Sequence, residues 1–158
     1  MSDDPRIARV LMYLTYAVGV AGLAIAMSTV NDSPATLSTG CLLAVGAGGI
    51  LSFLRHSVFN RSDARRMGSD YGTRNNFQIE VGLANLAWGT LAVLAVVLDW
   101  GIHAEAASFL VFGFYMASVA AMVALPSDGE RVRPWPMVVT MAAFGGLMLY
   151  VGFQGMAA

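Results

Sequence analysis

Residues 77–98 read FQIEVGLANLAWGTLAVLAVVL, a run of 22 residues in which Glu80 is the one charged side chain. A helix needs roughly 20 mostly apolar residues to cross about 30 Å of hydrocarbon. This stretch is therefore long enough to span a bilayer. The sequence predicts a transmembrane helix here, and that prediction decides the class of fold.

The composition of the whole chain also indicates a membrane protein. Of the 158 residues, 57% are hydrophobic and 12% are charged, whereas a soluble domain usually carries about 25% charged residues. Lipid must therefore cover much of the surface. This composition excludes a secreted disulfide scaffold, a nucleic-acid-binding module and a soluble enzyme. The single cysteine, Cys41, is expected to be a small buried thiol.

Four further apolar stretches accompany residues 77–98. The predicted spans lie at about 7–27, 35–54, 77–98, 104–125 and 136–153. The short segments of alternating polarity that a transmembrane β-barrel requires do not occur. The predicted fold is all-α: a single transmembrane domain over residues 1–158, built as an integral membrane bundle of five helices.

The positions of the basic residues predict the orientation. All nine are arginines, and they fall at or before the start of the first span, between the second and third, and between the fourth and fifth: Arg6, Arg9, Arg55, Arg61, Arg65, Arg66, Arg74, Arg131 and Arg133. The positive-inside rule places these segments in the cytoplasm. The N-terminus and the basic loop at 55–76 are then cytoplasmic, the C-terminus lies outside, and the location is the bacterial inner (cytoplasmic) membrane.

Glycines in three of the spans predict where the helices pack. Small residues let transmembrane helices approach closely, and lipid supplies no hydrophobic drive for their association. The predicted packing positions are Gly46, Gly49, Gly82, Gly89, Gly145 and Gly146.

The basic loop has a pattern of its own. Ser62 is a candidate N-cap for a short helix that Gly68 ends. Arg61, Arg65 and Arg66 are predicted to meet anionic lipid headgroups. The alternative is a cytoplasmic docking surface or a phosphate contact.

A group of polar side chains lies where the second span ends and the third begins. It comprises His56, Gln78, Glu80 and Asn85. Ionisable groups near membrane depth are costly and favour a functional role, so this polar centre is a candidate for binding or proton relay. The alternative is a structural role, in which Arg or His satisfies Glu80 at the headgroup level.

The same residues carry a resemblance. His56-Ser-Val-Phe59, followed by Phe77-Gln-Ile-Glu-Val-Gly-Leu-Ala-Asn-Leu86, resembles the HxxF and FQxEVGxANL signature of an uncharacterised family of small bacterial multi-span membrane proteins. The family has no established activity. The resemblance implies that His56, Gln78, Glu80 and Asn85 belong to one shared polar centre.

No catalytic constellation, metal site or cofactor site is predicted. His103 with Asp99 and Glu105 is a candidate metal trio, but neighbouring loop charges are usually solvated. The favoured function is a non-enzymatic accessory or scaffold subunit of a membrane complex, or a homo-oligomer, whose partners are lipids and other membrane subunits or itself. The alternatives are a small transporter of protons, ions or small molecules that uses His56 and Glu80, and a membrane enzyme acting on a lipid or quinone with His56 as base.

Overall fold

The computed structural model describes residues 3–68, 75–125 and 135–158. These residues form six helices and no strand: α1 (Pro5–Thr29), α2 (Ser38–Val58), α3 (Asn60–Met67), α4 (Asn76–Val97), α5 (Ile102–Ala124) and α6 (Trp135–Ala157). All but α3 are long and apolar enough to cross a membrane. The predicted all-α architecture with five such helices is confirmed.

Local capping explains where two of these helices begin. The Asp4 carboxylate accepts a hydrogen bond from the Arg6 backbone N–H at 2.9 Å, and Pro5 occupies the first helical position, so α1 begins two residues before the predicted span. In the same way, the Asn75 side chain accepts from the Gln78 N–H at 3.1 Å and starts α4.

Helix α2 contains two π-helical turns, at Leu42–Ala47 and Leu54–Val58. A π-turn carries an extra residue, so it changes which side chains share a face of the helix. In the second of these turns the consecutive residues Arg55 and His56 touch each other, with Arg55 Nη2 2.7 Å from His56 Nε2. Both side chains thereby reach the same neighbour in α3.

The five long helices run alternately up and down, each against the next. Packing contacts between Gly22 and Ala44, between Gly49 and Gly89, and between Gly145 and Ala117 join α1 to α2, α2 to α4 and α5 to α6. Helix α3 lies across one end of this bundle, where α1 and α4 begin and α2 ends. We call this the α3 end. The apolar core fills the opposite half, around Phe109 and Val151.

The crossing of α2 and α4 shows why glycine is needed there. A Cβ atom on Gly49 would lie 2.6 Å from the Asn85 backbone oxygen and 2.8 Å from the Gly89 Cα. Gly46 faces Val93 in the same crossing, and Gly82 faces Ser57. Backbones in direct contact leave no space for any side chain, as is usual between membrane helices.

Gly146, one of the predicted packing positions, does not contact another helix of the described chain. Among the described residues, no atom lies within 4 Å of a Cβ built on Gly146, whereas one on Gly145 would lie 2.9 Å from the Ala117 backbone nitrogen. Successive residues of a helix point about 100° apart. When Gly145 faces α5, Gly146 must therefore face outward.

These two glycines give a matched test of the packing. We expect Gly49→Ala to lower the free energy of unfolding by about 1–3 kcal/mol, because backbone atoms must move apart. Gly146→Ala should leave stability unchanged or slightly raised, because alanine favours the helix. Thermal unfolding in detergent, followed by circular dichroism, measures both. Equal effects at the two positions would contradict the α2–α4 crossing.

Candidate functional site

A buried carboxylate, Asp63, lies at the centre of the polar side chains at the α3 end. Its side chain has no solvent exposure. Oδ1 accepts a hydrogen bond from Arg66 Nε at 2.9 Å. Oδ2 lies 2.9 Å from His56 Nδ1 and accepts a hydrogen bond from Gln78 Nε2 at 3.0 Å. Arg55 Nε is farther away, 3.9 Å from Oδ1. We call Asp63 with these four partners the Asp63 cluster.

The electrostatics of the cluster keep Asp63 ionised. Burial by itself raises the pKa of the Asp63 carboxyl, but the contact with His56 and the positive charges of Arg55 and Arg66 outweigh it. The pKa of Asp63 therefore lies below its ordinary value. A buried charge is tolerated only when partners compensate for its lost hydration, and here each carboxylate oxygen has a close one.

The contacts of His56 also define its tautomer. Arg55 has only hydrogen-bond donors, so a guanidinium nitrogen 2.7 Å from His56 Nε2 requires a lone pair on that nitrogen. The other ring nitrogen, Nδ1, lies 2.9 Å from Asp63 Oδ2, a close contact that lacks hydrogen-bond geometry. Both ring nitrogens are thus engaged within the chain.

Ser62, the neighbour of Asp63, joins α3 to the start of α1. Its hydroxyl donates to the Asp4 carbonyl at 2.5 Å and accepts from the Ala8 backbone N–H at 3.0 Å. The prediction that Ser62 caps α3 is wrong, because the helix begins at Asn60, two residues earlier, and Ser62 is fully buried. Gly68 does end α3, with a left-handed backbone at φ 72°.

The structure brings together only part of the predicted polar centre. His56 and Gln78 both contact Asp63. Glu80 is exposed on α4 and takes no part in the Asp63 cluster. Asn85 is buried two turns along α4, where its amide donates to the Val81 carbonyl at 2.7 Å. The carboxylate beside His56 is therefore Asp63, in place of the expected Glu80.

The three arginines predicted at lipid headgroups divide into two kinds. Arg66 is committed to Asp63, with its side chain one-fifth exposed, which corrects its assignment to the lipid surface. Arg61 and Arg65 are more exposed and form ion pairs with Asp3 at 3.4 and 3.2 Å. Three other arginines used for the orientation, Arg74, Arg131 and Arg133, lie outside the described residues.

At the opposite end of the bundle, the candidate metal trio is not assembled. His103 and Asp99 are exposed, while Glu105 is buried and accepts a hydrogen bond from the Ser38 hydroxyl at 2.7 Å. The expectation that all three are solvated loop charges is therefore wrong for Glu105. Within the described ranges, no group of three His, Cys, Asp or Glu side chains is placed to hold a metal ion.

Sequence reasoning missed Asp63 as the centre of the site. A signal existed: Asp63 and Arg66 are three residues apart on one short helix, which places them on the same face. That spacing is equally typical of a solvated surface pair, so the pattern alone does not show that the carboxylate is buried.

A cavity of about 110 Å³ adjoins the Asp63 cluster. Arg55 and His56 line its polar end, together with Asn85 and Tyr115. Apolar side chains of α5 and α6 form the walls, among them Phe112. The site thus combines a charged cluster with a mostly apolar space inside the bundle.

The chain belongs to DUF6790, a family of unknown function, whose family model matches residues 6–125. The match agrees with the resemblance to an uncharacterised family. It covers the whole Asp63 cluster and stops before α6. No curated protein and no solved structure shows significant similarity to the chain.

The cluster predicts a large effect of neutralising Asp63. Asp63→Asn keeps the side-chain shape but leaves Arg55 and Arg66 without their counter-charge, so we expect a loss of about 3 kcal/mol or more in unfolding free energy. Thermal unfolding in detergent at neutral pH measures it. Asp99→Asn is the control, because Asp99 is exposed and its left-handed backbone (φ 50°) suits asparagine equally well.

The contribution of Asp63 to the free energy of unfolding should also fall as the pH is lowered. Because the folded pKa of Asp63 is lowered, its contribution to stability is complete above the ordinary Asp pKa of about 3.9 and is lost as the pH falls through the lowered value. The melting temperature of the wild type should therefore drop more steeply than that of Asp63→Asn below about pH 4. Parallel acid profiles for the two proteins would show that folding does not lower the pKa of Asp63.

Proposed function

We propose that this member of DUF6790 is a non-enzymatic, multi-pass inner-membrane protein that acts as an accessory or scaffold subunit, in a larger membrane complex or as a homo-oligomer. The proposal rests on one observation: the polar groups at the α3 end contact one another within the chain. The oxygens of Asp63 and the ring nitrogens of His56 are occupied by contacts within the chain. Such a centre holds helices together and supplies no obvious reactive group.

The alternatives that rely on His56 gain less support. A relay between His56 and Glu80 needs the two side chains to meet, and Glu80 is exposed outside the cluster. A membrane enzyme with His56 as base needs a ring nitrogen free to accept a proton. Nε2 already faces Arg55, and Nδ1 faces Asp63. The cavity does reach His56, which favours binding over turnover.

One surface fits an association with other membrane helices. On α6, Ala142 and Gly146 are four residues apart and both exposed, so they form a small patch on one outer face. Small residues at this spacing are typical of transmembrane helix interfaces. The other α6 glycines, Gly145, Gly152 and Gly155, already pack against α5, whereas Ala142 and Gly146 are exposed and accessible to a neighbouring protein.

Assembly can be tested by native mass spectrometry of the full chain after gentle extraction. We expect a homo-oligomer or co-purifying subunits at fixed stoichiometry. Ala142→Leu should reduce the assembled fraction at least severalfold, because a bulky side chain separates the helices. The matched control is Ala87→Leu, which enlarges an exposed alanine on α4. A wild-type protein that is monomeric and without protein partners would contradict the proposal.

The orientation can be tested by labelling single cysteines in intact cells, in a Cys41→Ala background. A membrane-impermeant maleimide should label Ala158→Cys at once and Met67→Cys only after permeabilisation, because the arginine-rich loop is expected in the cytoplasm. Met67 suits this test because it is half-exposed at the end of α3. Immediate labelling of Met67→Cys would reverse the proposed topology.

A further inference from the structure

The cavity beside the Asp63 cluster reaches the outer surface of the bundle between α1 and α6. Its rim includes Tyr16 of α1 and Met137 of α6, which are 44% and 45% exposed and therefore belong to both the cavity and the outer surface. Nearer the centre of the bundle, Phe144 of α6 packs on Gly19 of α1 and closes the gap between these two helices. The opening is thus lateral, between α1 and α6 on the side of the α3 end.

Gly48 shows that the interior of the cavity is unfilled. This residue is buried and lines the cavity, yet a Cβ built on it would make one contact within 4 Å, at an ordinary distance of 3.8 Å from the Leu43 carbonyl oxygen. Its neighbour Gly49 has no such space. A cavity of about 150 Å³ in another protein holds a benzene molecule, so 110 Å³ suits a polar head and a few methylene groups.

The polar end of the cavity carries excess positive charge. The cluster contains two guanidinium groups, on Arg55 and Arg66, and one carboxylate, on Asp63, so at least one positive charge is left over whichever form His56 takes. Arg66 donates to Asp63 at 2.9 Å, whereas Arg55 Nε is buried without a hydrogen-bond partner in the described part of the chain. Arg55 lines the cavity and Arg66 does not. The uncompensated charge therefore faces the cavity.

We propose that this cavity binds an apolar monocarboxylate, with the carboxylate on Arg55 and the hydrocarbon chain passing out between α1 and α6. A carboxylate supplies the missing negative charge and accepts more than one guanidinium N–H in a planar geometry. The apolar walls, including Phe112, Met141 and Phe144, suit the methylene groups. Binding involves no covalent step, and it does not depend on the proposed assembly.

The chemistry allows two sources of ligand, a fatty acid from the bilayer or a short free carboxylate from water. Octanoate serves as the probe because its head and first methylene groups fit the cavity and its tail is free to leave through the lateral opening. The full chain is purified in detergent, and carboxyl-labelled ¹³C-octanoate is titrated by NMR. Octanol in the same micelles measures what the apolar tail contributes alone.

Two pairs of variants locate the site. Arg55→Gln should weaken octanoate binding at least about tenfold, because it removes the charged partner. Arg61→Gln removes an equal charge from α3, but from an exposed side chain that pairs with Asp3 outside the Asp63 cluster, and should bind octanoate within about threefold of wild type. Gly48→Leu should abolish binding by filling the space, whereas Ala87→Leu, on the exposed face of α4, should not.

The proposal is supported by saturable octanoate binding that is at least tenfold tighter than octanol binding and is lost in Gly48→Leu. It is overturned by the absence of saturable binding, by equal affinity for octanoate and octanol, or by equal effects of Arg55→Gln and Arg61→Gln. If Arg55→Gln does not fold, Gly48→Leu and the octanol comparison decide. Competition by oleate in lipid nanodiscs identifies a bilayer fatty acid, and octanoate binding without such competition identifies a short free carboxylate.

Discussion

A single buried carboxylate, Asp63, connects most of the polar contacts at the α3 end of this bundle. It meets two residues of α2, one of its own helix and one of α4. Burying a charge is unfavourable unless close partners replace the lost water. Helix α3 is therefore held where Arg66, His56 and Gln78 can all reach the carboxylate. Its other attachment, Ser62 to the start of α1, follows from the neighbouring position in the chain.

The same constraint divides the bundle into two halves of different character. Away from α3, small residues and side chains such as Phe109 and Val151 make a dense apolar core. At the α3 end, Arg55 and His56 project from a π-helical turn toward Asp63. Long polar side chains anchored at one edge do not fill the middle of a bundle, and the cavity lies between them and the core.

Comparison of His56 and Glu80 shows where the residue pattern was insufficient. Both residues are ionisable and near the ends of predicted spans, and sequence spacing cannot distinguish a side chain that faces the bundle from one that faces outward. The structure turns Gln78 inward and leaves Glu80 exposed two residues later. Residues two apart on a helix point to nearly opposite sides, and the packing of α4 against α2 and α3 sets which side faces inward. The carboxylate that faces inward is Asp63 of α3, in the predicted basic loop.

The sequence by itself determined the five long apolar helices, their approximate limits and five of the six packing glycines. Those features depend on hydrocarbon thickness, turn residues and side-chain size, which are local properties of a stretch of chain. Only the tertiary structure decided that Asp63 is the centre, that Arg66 serves it and that Gly146 faces outward. Each of these depends on which way a helix is rotated and on which neighbour it meets. That neighbour can be distant in sequence, as with Ser62 and Ala8, so no local pattern encodes it.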